Sequence, residues 1–150
     1  VDDVDRKILA ELQQDGRLTI TELAERVQLS VSPCHRRLRA LERSGVIAGY
    51  RAHLDAAALG LGFASLVFVT MRESDAVTVA RFEAAVVEVR EVVQAQRLFG
   101  DPDYLLRVVT PDLAAFQRLY DARLATLPGV QRLSSTLIMK DVVGDRPLPT

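Results

Sequence analysis

The stretch "LTITELAERVQLSVSPCHRRLRALERSG", residues 18–45, carries the signals of two short helices separated by a tight turn. Thr19 and Glu22 form the S/T-x-x-E pair of a capping box. Ile20, Leu23, Ala24 and Val27 follow at i, i+3, i+4 and i+7, the spacing of one buried helix face. "QLS" interrupts the pattern. Ser32 is then placed to cap a second helix and Pro33 to take its first position, where a missing N–H costs no hydrogen bond. This helix is expected to run to about Arg43 and to stop at Gly45. Upstream, Val4, Ile8 and Leu12, with Leu9 beside them, predict one more helix, which Gly16 ends.

The two faces of the helix after "QLS" differ in kind. At about 100° per residue with Cys34 as origin, Leu38 and Leu41 fall within roughly 40° of it, whereas Arg36, Arg39 and Arg43 cluster near 180°. Arg37, His35 and Glu42 sit on the flanks. Two helices joined by a tight turn, the second apolar inward and cationic outward, make a helix-turn-helix pattern, whose second helix enters the major groove of DNA. The candidate DNA contacts are Ser32, Pro33 and His35 at its amino-terminal end, Arg36, Arg37, Arg39 and Arg43 along it, and Arg51 just beyond. Arg37, on a flank, is expected to hold phosphate or brace the domain, not to read bases. "VIAGYRAHL", residues 46–54, is β-rich and is expected to form a short wing.

Charge supports the same reading. The formal net charge is only −1, but residues 26–51 hold six arginines against one acid, Glu42, while residues 55–150 hold ten basic and twelve acidic residues. Phosphate contacts need local density of positive charge, which this chain has in one place. With 49% apolar and 26% charged residues the chain is expected to be globular. Its longest apolar run, Leu59 to Met71, is broken by Gly60, Gly62 and Ser65 and is shorter than the roughly 20 residues of a membrane span. A soluble, cytoplasmic protein is expected. The single cysteine, Cys34, excludes an internal disulfide and reads as a small core residue; His35 and His53 are too few and scattered to complete a zinc site with it.

Residues 61–143 are organised as two similar halves. "FASLVFVTM" is a strand, "DAVTVARFEAAVVEV" a helix opened by Asp75, and "EVVQAQRLF" a strand. "YLLRVVT", "DLAAFQRLYDARLATL" and "VQRLSSTLIMKDVV" then repeat strand, helix, strand. The order β-α-β-β-α-β predicts a ferredoxin-like fold, a four-stranded antiparallel sheet with both helices on one side. Apolar residues at both parities of "SLVFV" and "LLRVV" imply that the other sheet face is also covered, most simply by a second subunit. The fold class is therefore α+β: a winged helix-turn-helix over residues 1–50, a hinge over 51–60, the ferredoxin-like domain over 61–143 and a tail over 144–150.

Between the halves, Gly100, Asp101, Pro102 and Asp103 make a turn in "LFGDPDYLL". Such a loop can do more than turn the chain. Its glycine exposes backbone N–H groups to a carboxylate, and Asp101 or Asp103 can pair with an ammonium, the two charged ends of an amino acid. A metal site there lacks further ligands.

Four segments, "VDDVDRKILAELQQDGR", "LSVSPCHRRLRALERSGVIAGY", "GDPDYLLRV" and "LPGV" before a strand, resemble the Lrp/AsnC (leucine-responsive and asparagine-responsive, feast/famine) transcription regulators in order and spacing across essentially the whole chain. The resemblance implies a recognition helix over Ser32 to Arg43 and an amino-acid-sensing carboxy-terminal domain. It also implies homodimers, formed through that domain, that assemble into tetramers, octamers or open helices. The implied effector pocket uses Gly100, Asp101, Pro102, Asp103 and Tyr104, together with the hydroxyls of Ser135 and Thr136 on the last strand. Two positions depart from the family pattern: Leu133 stands near where members often carry Thr, and Pro102 where the loop is often aromatic. Leucine or asparagine is therefore not assumed as the effector.

The reading is a sequence-specific transcriptional regulator that binds a palindromic operator in double-stranded DNA, with half-sites about one helical turn apart or a multiple of it. Its assembly responds to a small amino-acid effector, with no cofactor, metal or membrane partner. Two rivals are weighed against it. An amino-acid-sensing subunit of a metabolic enzyme would use the same carboxy-terminal fold without binding DNA. An RNA-binding sheet needs aromatics on its central strands, which "LLRVVT" lacks. No nucleophile–base pair, phosphate-binding glycine loop or metal constellation supports a free-standing enzyme.

Overall fold

Three helices form where the apolar spacing predicts them: α1 Asp3–Gln14, α2 Ile20–Arg26 and α3 Val31–Arg43. The computed structural model describes residues 1–144 and 146–150. It divides into a helical unit, Val1–Leu54 with Val142–Thr150, and a sheet-containing unit, Asp55–Asp141.

Helix α2 starts as expected. The Glu22 N–H donates to Thr19 Oγ1 at 3.3 Å and the Thr19 N–H donates to Glu22 Oε2 at 2.8 Å. An equivalent box, Asp2 with Asp5, opens α1. The turn from α2 to α3 uses Gln28 at φ 57°, a left-handed residue that satisfies the end of α2 without glycine. Ile8, Leu23, Ala24, Val27, Cys34 and Leu41 form the core of this unit, with Leu38 half-buried against it.

Four expectations for this unit are corrected. Ser30, not Ser32, occupies the cap of α3, which begins at Val31; Ser32 is the second helical residue and Pro33 the third. The amino-terminal N–H groups of a helix are all unpartnered, so proline is tolerated at Pro33 as well, and the sequence fixes the turn better than its first residue. Helix α1 ends because Asp15 is extended (φ −142°, ψ 98°) and its carboxylate accepts from the Arg17 N–H at 2.9 Å, not because Gly16 is left-handed. Gly45, at φ 77°, does end α3 in the left-handed conformation. Residues 46–54 form no strand. A β wing needs a partner strand, and Gly49 at φ 154° interrupts the one run that could supply it. Ile47 anchors this arm through its N–H on the Leu41 carbonyl at 3.2 Å. From Val142 the chain rejoins the helical unit, where Gln13 donates to the Leu148 carbonyl at 3.1 Å and accepts from its N–H at 2.6 Å. Asp145, within the expected tail, lies outside the described residues.

The second unit runs β1 Phe63–Met71, α4 Ala76–Val87, β2 Val92–Arg97, β3 Tyr104–Thr110, α5 Leu113–Leu119, a π-helical turn Tyr120–Leu124, and β4 Val130–Leu137. The sheet order is β2-β3-β1-β4 with every pair antiparallel, the ferredoxin-like arrangement. Val67, Val69, Met71, Leu106 and Val108 share one sheet face and pack with Phe82, Val86, Phe116 and Leu124 of the helical layer. Leu66, Phe68, Leu105 and Val109, at the opposite parity, are only half-buried. Strand β4 stops at Leu137 and does not reach Val143 as expected. Leu137 pairs with Ser65 near the start of β1, and beyond Ile138, whose N–H reaches the Ala64 carbonyl at 3.0 Å, little β1 template remains. Gly129, at φ 74°, turns the chain into β4. A Cβ there would meet Thr78 Cγ2 at 2.3 Å, so both conformation and space require glycine.

Candidate nucleic-acid interface and ligand loop

Burial of Cys34 and Leu41 on one side of α3 fixes which side faces solvent. Burial also pushes the Cys34 thiol above its ordinary range, as befits a core residue without a base to activate it. Arg36, Arg39 and Arg43 are exposed on the outward side, but they are not equivalent. Arg39 Nη1 reaches Glu42 Oε2 at 3.0 Å and its Nε donates to His35 Nε2 at 3.4 Å. Glu42 is itself held by the Tyr50 hydroxyl, which donates to Oε1 at 3.1 Å. Tyr50, in the arm after α3, thus orients Arg39 through a shared carboxylate. The sequence reading missed this residue because nothing in its spacing distinguishes it from a core aromatic.

Arg37 is committed inward. Its Nη1 lies 2.8 Å from Asp2 Oδ2 and 2.9 Å from Asp5 Oδ1, which clamps α3 to the first turn of α1. The Asp5 N–H and the Arg37 guanidinium together hold the Asp2 carboxyl below the usual carboxylate range. Among the described residues, Arg36, Arg43 and Arg51 have no ion-pair partner. Ser32, Pro33 and His35 lie in the first half of α3, and Arg51 lies in the exposed arm.

In the second unit the loop closes on itself around Asp103. Its carboxylate accepts from the Met71 N–H at 2.7 Å, its N–H donates to the Val69 carbonyl at 2.9 Å, and its carbonyl accepts from the Leu98 N–H at 2.7 Å. Asp103 therefore ties the β2–β3 loop to the end of β1. Asp101 is exposed and accepts no hydrogen bond among the described residues, and Gly100 is at φ 145°. Pro102 is half-buried beside it. Tyr104 leaves the loop altogether: it is buried under α4, with its hydroxyl donating to Glu83 Oε1 at 2.7 Å.

Ser135 and Thr136 are not brought together. Ser135 is the ladder partner of Val67, on the helix side, whereas Thr136 is opposite Leu66, on the open side. The hydroxyl that shares a face with Thr136 is Ser134, opposite Phe68, and the period-2 alternation of the strand would have found it. On the same open face Arg107 forms a two-pronged pair with Asp141, at 2.9 and 3.3 Å. Among the described residues no group of acidic, histidine or cysteine side chains could hold a metal ion, and no helix is long and apolar enough to cross a membrane.

Residues 1–48 match the winged helix-turn-helix DNA-binding family, and residues 65–148 match the Lrp/AsnC ligand binding domain. The leucine-responsive regulatory protein of Salmonella typhimurium is 39% identical over 142 residues, covering 95% of this chain and 87% of that one. The Bkd operon transcriptional regulator of Pseudomonas aeruginosa is 39% identical over 143 residues, covering 95% and 94%. Among solved structures, a transcriptional regulator of Neisseria meningitidis in complex with L-Met aligns with a TM-score of 0.94 at 38% identity, over 99% of this chain and 96% of that one.

Proposed function

The chain belongs to the Lrp/AsnC family of transcriptional regulators, and on that premise we propose how it reads DNA and senses its effector. Helix α3 lies in the major groove, with Arg36 and Arg43 on phosphates and Arg39, held by Glu42, aimed at base edges or their flanking phosphates. Arg37 braces the domain. The observation that carries this assignment is the division of α3 itself, with Cys34 and Leu41 buried and Arg36 and Arg43 exposed and unpartnered on the opposite side.

The effector is a free amino acid. The Neisseria relative, solved with L-Met, supports that chemistry. In the loop, Asp101 offers the free carboxylate for an ammonium, and the backbone around Gly100 offers N–H groups for a carboxylate. A second copy of the chain covers the half-buried face of Leu66, Phe68, Leu105 and Val109, which pairs two α3 helices on an imperfect palindrome. Effector binding where sensor units meet changes how dimers pack, and so the spacing at which paired helices meet DNA. The ligand shifts that equilibrium only by its differential affinity for the assemblies.

Selection of bound genomic fragments by the purified protein, with and without a panel of free amino acids, tests both halves. The expected result is enrichment of fragments sharing an imperfect palindrome, altered by one or a few amino acids. Absence of any enriched sequence removes the regulator reading. Enrichment indifferent to every amino acid removes the effector.

A further inference from the structure

Tyr50 lies eight residues beyond Glu42 in the sequence, yet its hydroxyl reaches the last turn of α3. Local features bring it there. Gly45, left-handed at φ 77°, ends the helix and turns the chain back. Ile47 then packs against the helical core and donates its N–H to the Leu41 carbonyl at 3.2 Å, which pins the arm just before Tyr50. The Tyr50 ring lies over Gly16, in the connection from α1 to α2, with its Cδ1 3.5 Å from where a Cβ on that glycine would stand. One end of the side chain is thus seated, and the other donates to Glu42 Oε1 at 3.1 Å. Partial burial, with the Glu42 bond second, raises the hydroxyl above its ordinary value, so it stays a donor through the neutral range.

Glu42 divides its two oxygens between two partners. Oε1 takes the Tyr50 hydroxyl and Oε2 takes Arg39 Nη1 at 3.0 Å. Arg39 Nε is occupied in turn by His35 Nε2 at 3.4 Å. A guanidinium carries five N–H groups, and these contacts leave one on Nη1 and both on Nη2 without a partner among the described residues. Two adjacent nitrogens with free N–H groups are what the bidentate contact to O6 and N7 of guanine requires. The side chains of Arg39 and Glu42 are 59% and 26% exposed, and ion pairs so open to solvent contribute little to folding. The effect of the chain from Tyr50 to His35 is therefore on geometry: it holds in advance a long side chain that would otherwise be ordered only on meeting DNA. Arg36 and Arg43, on the same outward side, have no ion-pair partner among the described residues and no such restraint.

We propose that Tyr50 is a positioning residue for base readout: through Glu42 it fixes Arg39 for a guanine at one position of each half-site. It governs which base is preferred there, not how tightly the phosphates are held. The assignment rests on the placement of α3 in the major groove given above. It goes further by naming the base that Arg39 meets and the residue outside the helix that decides it.

The test uses the full chain and a library of duplexes with randomised half-sites. Sequences bound by the native protein, Arg39→Ala, Tyr50→Phe, Glu42→Ala and the Arg39→Ala, Tyr50→Phe double variant are read out, and the selected duplex with its single-base variants is titrated by fluorescence anisotropy. Phenylalanine keeps the ring over Gly16 and removes only the hydroxyl; Glu42→Ala cuts the same link from the other side. The native chain should prefer guanine at one position of each half-site, and Arg39→Ala should erase that preference. Tyr50→Phe and Glu42→Ala should each reduce it about threefold or more, the order of one hydrogen bond. In Tyr50→Phe the preferences at other positions and the salt slope should remain those of the native chain. In the Arg39→Ala background Tyr50→Phe should remove nothing more. An undiminished guanine preference in Tyr50→Phe, a loss spread evenly over all positions, or losses that add in the double variant would overturn the assignment while leaving α3 as the reading helix. A native chain that selects no sequence removes instead the reading on which the assignment rests, and the assignment with it.

Discussion

Replacing single arginines of α3 should separate a phosphate contact from a structural brace by salt dependence alone. For duplex DNA each neutralised phosphate contributes about 0.9 to the slope of log affinity against log salt, so each lost contact makes the slope shallower by that amount. Over a fourfold rise in salt this is a factor of about 3.5 per contact. Arg36, exposed and without an ion-pair partner among the described residues, is placed to make one such contact, and in a dimer spanning two half-sites its loss counts twice, about 1.8 in slope. Arg37 already spends its guanidinium on Asp2 and Asp5 at 2.8 and 2.9 Å and has no charge to lend a phosphate. Arg37→Ala should therefore lower thermal stability while leaving the slope as in the native chain. Arg39→Ala, with Glu42 sharing its charge at 3.0 Å, should change the slope less than Arg36→Ala. Fluorescence anisotropy on a selected operator, at several potassium chloride concentrations, measures all three. If Arg37→Ala flattens the slope as much as Arg36→Ala does, the division of labour on α3 is wrong.

Four further outcomes follow from the second unit. Asp103→Ala should destabilise it by about 1–3 kcal/mol in urea unfolding, because the Met71 N–H loses its acceptor, whereas Asp101→Ala should leave stability unchanged and abolish the effector's influence on DNA binding. Gly129→Ala should cost about 1–3 kcal/mol from crowding against Thr78 and Met71, with a lowered urea midpoint as the readout and an unchanged midpoint as the refutation. Phe68→Arg, on the half-buried sheet face, should convert the sedimenting species to monomer; an unaltered mass places the interface elsewhere. The Asp75 carboxyl is held below the usual aspartate range first by the Thr78 hydroxyl, then by the Thr78 and Val77 N–H groups. Its stabilisation is therefore complete above that range and is lost as pH falls through the depressed value, so Asp75→Asn should remove part of the acid sensitivity seen by circular dichroism.

Periodicity carried the reading furthest where a single buried face dictates it. Strands β1 and β3 fall on "FASLVFVTM" and "YLLRVVT" because both lie in the sheet centre, where neighbours on each side hold every residue. The same local logic fails where pairing or torsion decides. "VIAGYRAHL" has strand propensity without a strand to pair with, and "LIMKDVV" outruns the β1 template. The apolar spacing of "DLAAFQRLYDARLATL" continues through Tyr120–Leu124, so it could not reveal the π-helical turn there. The candidate site was legible as residue types on α3 and in the loop. Its internal bookkeeping, with Arg37 committed to α1, Asp103 to β1 and Tyr104 to α4, depends on contacts far apart in sequence that spacing does not encode. Ser135 and Thr136 are the instructive case, since a look at strand parity alone would have parted them.

The return of the chain to Gln13 makes the sensor, in topological terms, an insertion: residues 55–141 are spliced into a helical unit that begins before them and finishes after them. A protease nick between the units near residue 55 therefore leaves them joined through the stretch of chain that continues past Asp141. Leu148, far from α1 in the sequence, is thus hydrogen-bonded to it within the same unit. A fragment ending at Leu54 removes the sensor and also strips Gln13 of both hydrogen bonds to Leu148. The minimal reading module is thus two pieces of chain, and residues 1–54 joined by a short linker to residues 142–150 is the form in which to isolate it.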